Sequence, residues 1–143
     1  MKLLAIDTGI SGGIATRDSN GIITCYNMPS TLGDIVELLR GIKLDCNKAI
    51  VEKAGQHRQG NSASSSVKFA NHFGQIEAIL YCLGYETEYI SPQKWMKKLG
   101  TLPKDRAKRK RAIKEIVQKK YPYLRITLKT ADAIALLSIT KDI

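Results

Sequence analysis

No apolar run in this sequence approaches the roughly 20 residues that a membrane-spanning helix needs. The opening Met1-Lys2-Leu3-Leu4-Ala5-Ile6-Asp7 acquires charge too early for a secretory signal. No membrane partner is therefore expected, and the chain is expected to act in the cytoplasm where it is made. Cysteine is sparse and unpatterned. Cys25, Cys46 and Cys82 are odd in number and lack any Cys-x-x-Cys spacing, which argues against a disulfide framework and a zinc site and leaves buried free thiols in a reducing cytosol. His57 and His72 have no close His or Cys companion, so neither is assigned a metal role. Acidic residues are the minority, 13 Asp and Glu against 23 Lys and Arg, for a formal charge of +10.

What is present describes an ordinary globular chain. Its 143 residues suit one domain spanning 1–143, and 43% hydrophobic with 25% charged residues matches a protein with a normal packed core. The positive charge is unevenly spread: residues 104–120 hold nine Lys or Arg against Asp105 and Glu115. A local field of this kind attracts a polyanion, with nucleic acid or an acidic membrane surface as the usual partners. A solvated helix face is the alternative reading of the same run.

Hydrophobic patterning predicts strands over 2–6, 14–17 and 22–26, with Ser19-Asn20-Gly21 as a hairpin turn between the last two. Ser30 or Thr31 can cap a helix to about Arg40, carrying Ile35, Leu38 and Leu39 on one face and stopped by Gly41. Ala49-Ile50-Val51 reads as a strand ending at Glu52, and residues 53–66, rich in Gly, Gln, Asn and Ser, as a mobile loop. A helix over 67–83 follows, with Phe69, Phe73, Ile76 and Leu80 at helical spacing. Then come a strand over 85–90, a short helix opened by Ser91-Pro92, the basic helix ended by Pro122, and an apolar helix over 130–139. The order mixes antiparallel hairpins with strand-helix-strand crossovers, giving an α/β fold with a mixed five-stranded sheet flanked by helices.

Three acids sit awkwardly for a core. Asp7 and Glu52 each end an apolar strand, and they emerge at the same sheet edge if those strands lie parallel and adjacent. Asp132, inside Ala131-Asp132-Ala133-Ile134-Ala135-Leu136-Leu137, would be costly to bury alone. Singly, Asp7 could close a turn, Glu52 could pair with Lys53, and Asp132 could complement a helix N-terminus. Together they form a set of hard oxygen donors of the kind that Mg²⁺ or Mn²⁺ takes.

These stretches resemble the RuvC-like branch of the RNase H-like nucleases. Ala5-Ile6-Asp7-Thr8-Gly9 with Gly12 and Gly13 resembles the first motif, Ala49-Ile50-Val51-Glu52 the second, and Ala131-Asp132-Ala133-Ile134-Ala135 the last. Phe73-Gly74-Gln75 and Ser91-Pro92-Gln93-Lys94-Trp95 resemble further segments, the latter in phage-type members. The resemblance implies an RNase H-like fold and hydrolysis of phosphodiester bonds in branched DNA, the four-way (Holliday) junction, by a homodimer making paired cuts. It implies Asp7, Glu52 and Asp132 as catalytic metal ligands for Mg²⁺, with Mn²⁺ as substitute and Asp7 bridging two ions. Arg58, Lys104, Arg106, Lys108 and Arg109 are the candidates for contacts to the DNA backbone, since phosphates dominate affinity for nucleic acid. The sequence departs from the family at Lys129, where a further acid or His is common, and in the loop after Glu52, which has no aromatic residue. A small phage or prophage protein working in a host cytoplasm would suit the pattern.

Two other readings stay open. Asp7-Thr8-Gly9 also resembles the phosphate loop of sugar kinases and actin-like ATPases, though those close two such domains around ATP and this chain has length for one. A nuclease fold that has lost its metal could retain only DNA binding through the basic helix. Within the nuclease class, a flap, fork or RNA-directed activity is also left open.

Overall fold

The computed structural model describes residues 2–53 and 62–140. Strands β1 (Leu3–Asp7), β2 (Gly13–Arg17) and β3 (Ile23–Asn27) form an antiparallel meander. Helix α1 (Leu32–Lys43) crosses to β4 (Lys48–Glu52), and α2 (Ala63–Cys82) precedes β5 (Glu86–Ile90). Both β1·β4 and β4·β5 pair in parallel, so the sheet order is β3-β2-β1-β4-β5. Helix α3 (Pro92–Met96) runs into a 3₁₀ turn (Lys97–Leu99), followed by α4 (Arg106–Lys120) and α5 (Ala131–Ile139). The expected mixed five-stranded sheet flanked by helices is therefore the observed one.

Strand alternation divides the core in two. Leu4, Ile6, Ala49 and Val51 face Ile35 and Leu39 of α1 and Ile76 and Leu80 of α2. Leu3, Ala5 and Ile50 face the other way, onto Trp95, Ile113, Val117 and the apolar body of α5. Each of these fully buried Leu or Ile side chains contributes about 1.5–3 kcal/mol, and β1, buried on both faces, reads as a continuous apolar run for that reason. Helix α5 lies in the same condition, with Ala131 through Leu137 all buried.

Several boundaries differ from the sequence reading. Gly41 does not stop α1, which continues to Lys43; a helical Gly costs about 1 kcal/mol against Ala, and Ile42, packed against the core on the next position, helps to offset it. Helix α2 begins earlier than expected, at Ala63, because Ser62 caps it by accepting the Ser65 N–H at 3.1 Å. Of the expected mobile loop, 54–61 lie outside the described residues, His57 and Arg58 with them. Phe69 and Phe73 are half-buried, whereas Ile76 and Leu80 are core. The three thiols are free, but only Cys46 is buried; Cys82 is exposed where α2 ends, a correction to the expected buried set. Among the described residues no helix is long and apolar enough to cross a membrane.

Candidate functional site

The β1–β4 register stops at Ile6 opposite Val51, so Asp7 and Glu52 are the next residues on two adjacent parallel strands, both at carboxyl ends. Their parity matches Ala5 and Ile50, which face α4 and α5, and the pleat therefore sends both carboxylates to that side. Asp132 arrives on the same side in the first turn of α5, where the helix dipole favours an anion by about 0.3–1 kcal/mol. All three line one open cleft of about 830 Å³, and each is buried, at 7%, 4% and 7% exposure.

Two glycines make this convergence possible. A Cβ on Gly12 would stand 2.0 Å from the Asp7 carbonyl oxygen, and one on Gly13 would stand 2.5 Å from that of Lys129. Only residues without side chains let the β1–β2 turn fold back on Asp7 at Gly12 and let the chain leading into α5 lie this close to β2 at Gly13. Across the cleft entrance, Gly9 has φ +117 and its N–H donates to His72 Nδ1 at 3.1 Å. The Phe69 ring packs at the Gly9 Cα, 3.3 Å from where a Cβ would be. Burial draws the His72 imidazole below its ordinary range, in keeping with a neutral ring accepting that bond.

Glu52 is held from below. The buried Trp95 Nε1–H donates to Glu52 Oε2 at 2.8 Å, while Thr8 Oγ1–H points to the Glu52 backbone oxygen at 3.4 Å. Lys110 of α4 supplies the opposite charge, with Nζ 4.0 Å from Asp132 Oδ2.

Of the basic residues singled out in the sequence, Arg106 and Arg109 line the cleft, while Lys104 and Lys108 do not; Arg58 lies outside the described residues. Arg109 also donates to the Lys104 carbonyl at 2.8 Å, bracing the entry to α4. The sequence reading passed over Lys53, Lys68 and Lys110, which line the cleft. For Lys110 a signal existed: residues 106, 109, 110 and 113 share one helix face, and Ile113 on that face is core.

The donor set fits a hard divalent cation. No His or Cys is among the described cleft residues, and the three acids offer oxygen alone. Among the described residues no group of three His, Cys, Asp or Glu side chains stands ready around a single ion position. Mg²⁺ is commonly held by one or two carboxylates, with water and phosphate completing its shell.

No protein-family profile matches the chain, and no curated protein matches it in sequence. Solved structures are similar in fold. RuvC of T. thermophilus in complex with a Holliday junction substrate superposes with a TM-score of 0.60 at 15% identity, covering 97% of this chain and 91% of that one. A second Thermus thermophilus RuvC structure gives 0.54 at 16% identity, covering 97% and 92%. The likeness extends over nearly all of both chains, and the chain has the RNase H-like fold of RuvC.

Proposed function

We propose that this protein is a metal-dependent, structure-selective DNA endonuclease that resolves four-way junctions in recombination and repair. The observation that carries the reading is the cleft itself: three buried carboxylates at two strand ends and one helix start, faced by lysines and arginines. A buried trio of acids has no core-packing purpose, and a cationic rim around it is suited to a phosphodiester. The resemblance of fold to a protein solved with a Holliday junction supports branched DNA as the substrate.

In this reading Asp7, Glu52 and Asp132 hold Mg²⁺ or Mn²⁺, which when bound lowers the pKa of water and neutralises charge building on the phosphate. The chain's own basic groups bind and orient the backbone: Arg106, Arg109, Lys53 and Lys68 line the cleft, Lys104 and Lys108 lie outside it, and Arg58 is a further candidate for a phosphate contact. Lys110, beside Asp132, lies where it can meet a non-bridging phosphate oxygen. Junctions need paired cuts, so two copies are required. The exposed face of α2, with Val67 and Tyr81 at 67% and 85% exposure and Ala70, Gly74 and Ala78 between them, is the contact we assign to a homodimer.

The test is cleavage of an end-labelled four-way junction beside linear duplex, with Mg²⁺ or EDTA, comparing native protein with Asp7→Asn. Symmetric nicks that require both the metal and Asp7 establish the activity. Salt-sensitive junction binding without any metal-dependent cutting would instead assign a DNA-binding role.

A further inference from the structure

The segment Ser91-Pro92-Gln93-Lys94-Trp95 carries a fully buried indole whose N–H meets a proposed metal ligand. Its placement is tightly specified. Strand β5 ends at Ile90, in register with Glu52 on β4, and the Ile90 carbonyl accepts the Lys53 N–H at 2.8 Å. Ser91 then caps α3 through the Lys94 N–H, and Pro92 fixes the first helical turn. One turn later Trp95 returns beneath the end of β4, at 0% exposure, with Nε1 2.8 Å from Glu52 Oε2.

We propose that Trp95 is a positioning residue for the cation site: its indole N–H locks the plane of the Glu52 carboxylate before any cation arrives. An indole can only donate and has no charge, so it orients the carboxylate without competing with a metal as Lys or Arg would. A flexible glutamate has three side-chain torsions to order on binding, and the buried bond orders them in advance. The inference rests on the nuclease reading above. A second consequence follows from composition: Trp95 is the only tryptophan in the chain, so its emission should report on the charge at Glu52.

The experiment replaces this single tryptophan wholesale. Growth on 5-fluorotryptophan retains the N–H, whereas the benzothiophene analogue of tryptophan keeps the ring shape and exchanges N–H for sulfur; Trp95→Phe is the encoded counterpart. Mn²⁺ binding is followed by the electron paramagnetic resonance of the free ion, with circular dichroism as the check on folding. Affinity should be unchanged with 5-fluorotryptophan and about 10- to 100-fold weaker with the benzothiophene analogue. Mg²⁺ should alter Trp95 emission in native protein and leave it unaltered in Glu52→Gln. Equal Mn²⁺ affinity with and without the N–H overturns the role of Trp95 while leaving the nuclease reading intact. Failure of the native protein to bind Mn²⁺ at all overturns both.

Discussion

Gly13 and Lys129 are in backbone contact across the cleft wall: a Cβ on Gly13 would stand 2.5 Å from the Lys129 carbonyl oxygen and 3.0 Å from the Thr130 Cα. The obstacle is backbone, not the end of a flexible side chain, so it cannot rotate away. Gly13→Ala should therefore push the start of α5 outward and carry Asp132 with it. Overpacking of this kind costs about 1–3 kcal/mol. A thermal melt should show the loss of stability, and Mn²⁺ binding should weaken with it; an alanine variant with native Tm and native affinity would refute the contact.

Lys110 and Lys104 belong to the same basic stretch but should differ in effect. Lys110 lines the cleft near Asp132, and Lys104 is exposed outside it. Lys110→Met should lower single-turnover cleavage by about 10²-fold with little change in junction affinity. Lys104→Ala should weaken binding to all DNA and reduce the log–log salt slope by about 0.9 if it meets one phosphate, while leaving cleavage of bound junction alone. Indistinguishable kinetics for the two variants would remove the distinction between a lysine in the cleft and one outside it.

The pH dependence of stability follows from His72. Burial holds its folded imidazole below the ordinary 6.5, so the unfolded chain takes up a proton first as pH falls. Its stabilising contribution is full above about pH 6.5, declines as pH drops through that value, and levels off once the folded group itself titrates. Tm measured from pH 7.5 to 5 should fall more steeply for native protein than for His72→Asn, whose Oδ1 can still accept the Gly9 N–H. Parallel curves would show that His72 does not contribute.

Thiol chemistry tests the burial pattern independently. Cys82 is exposed, whereas Cys46 is 3% exposed and burial pushes its thiol upward. An alkylating reagent at pH 8 should modify Cys82 within the first minutes and Cys46 only after denaturant is added, as read by peptide mass spectrometry. Early labelling of Cys46 would contradict the packing of α1 against the sheet.

Much of this protein was legible in one dimension because the relevant physics is local. The order of strands and helices follows from apolar runs, Ser and Thr caps and the Ser-Pro start, and the acids ending the first and fourth strands stood out because each closes an apolar run. Asp132 stood out for the opposite reason, a charge inside a wholly apolar helix. Tertiary packing alone decided the rest. Which lysines face the cleft depends on the rotation of α4 about its axis, and that is set by Ile113 and Val117 entering the core beside α5. The pairing of Trp95 with Glu52 joins residues 43 positions apart, and Gly13 is needed only because a chain segment more than a hundred residues later lies against it. Such contacts carry no periodicity and no local propensity, since they arise where separately formed elements meet.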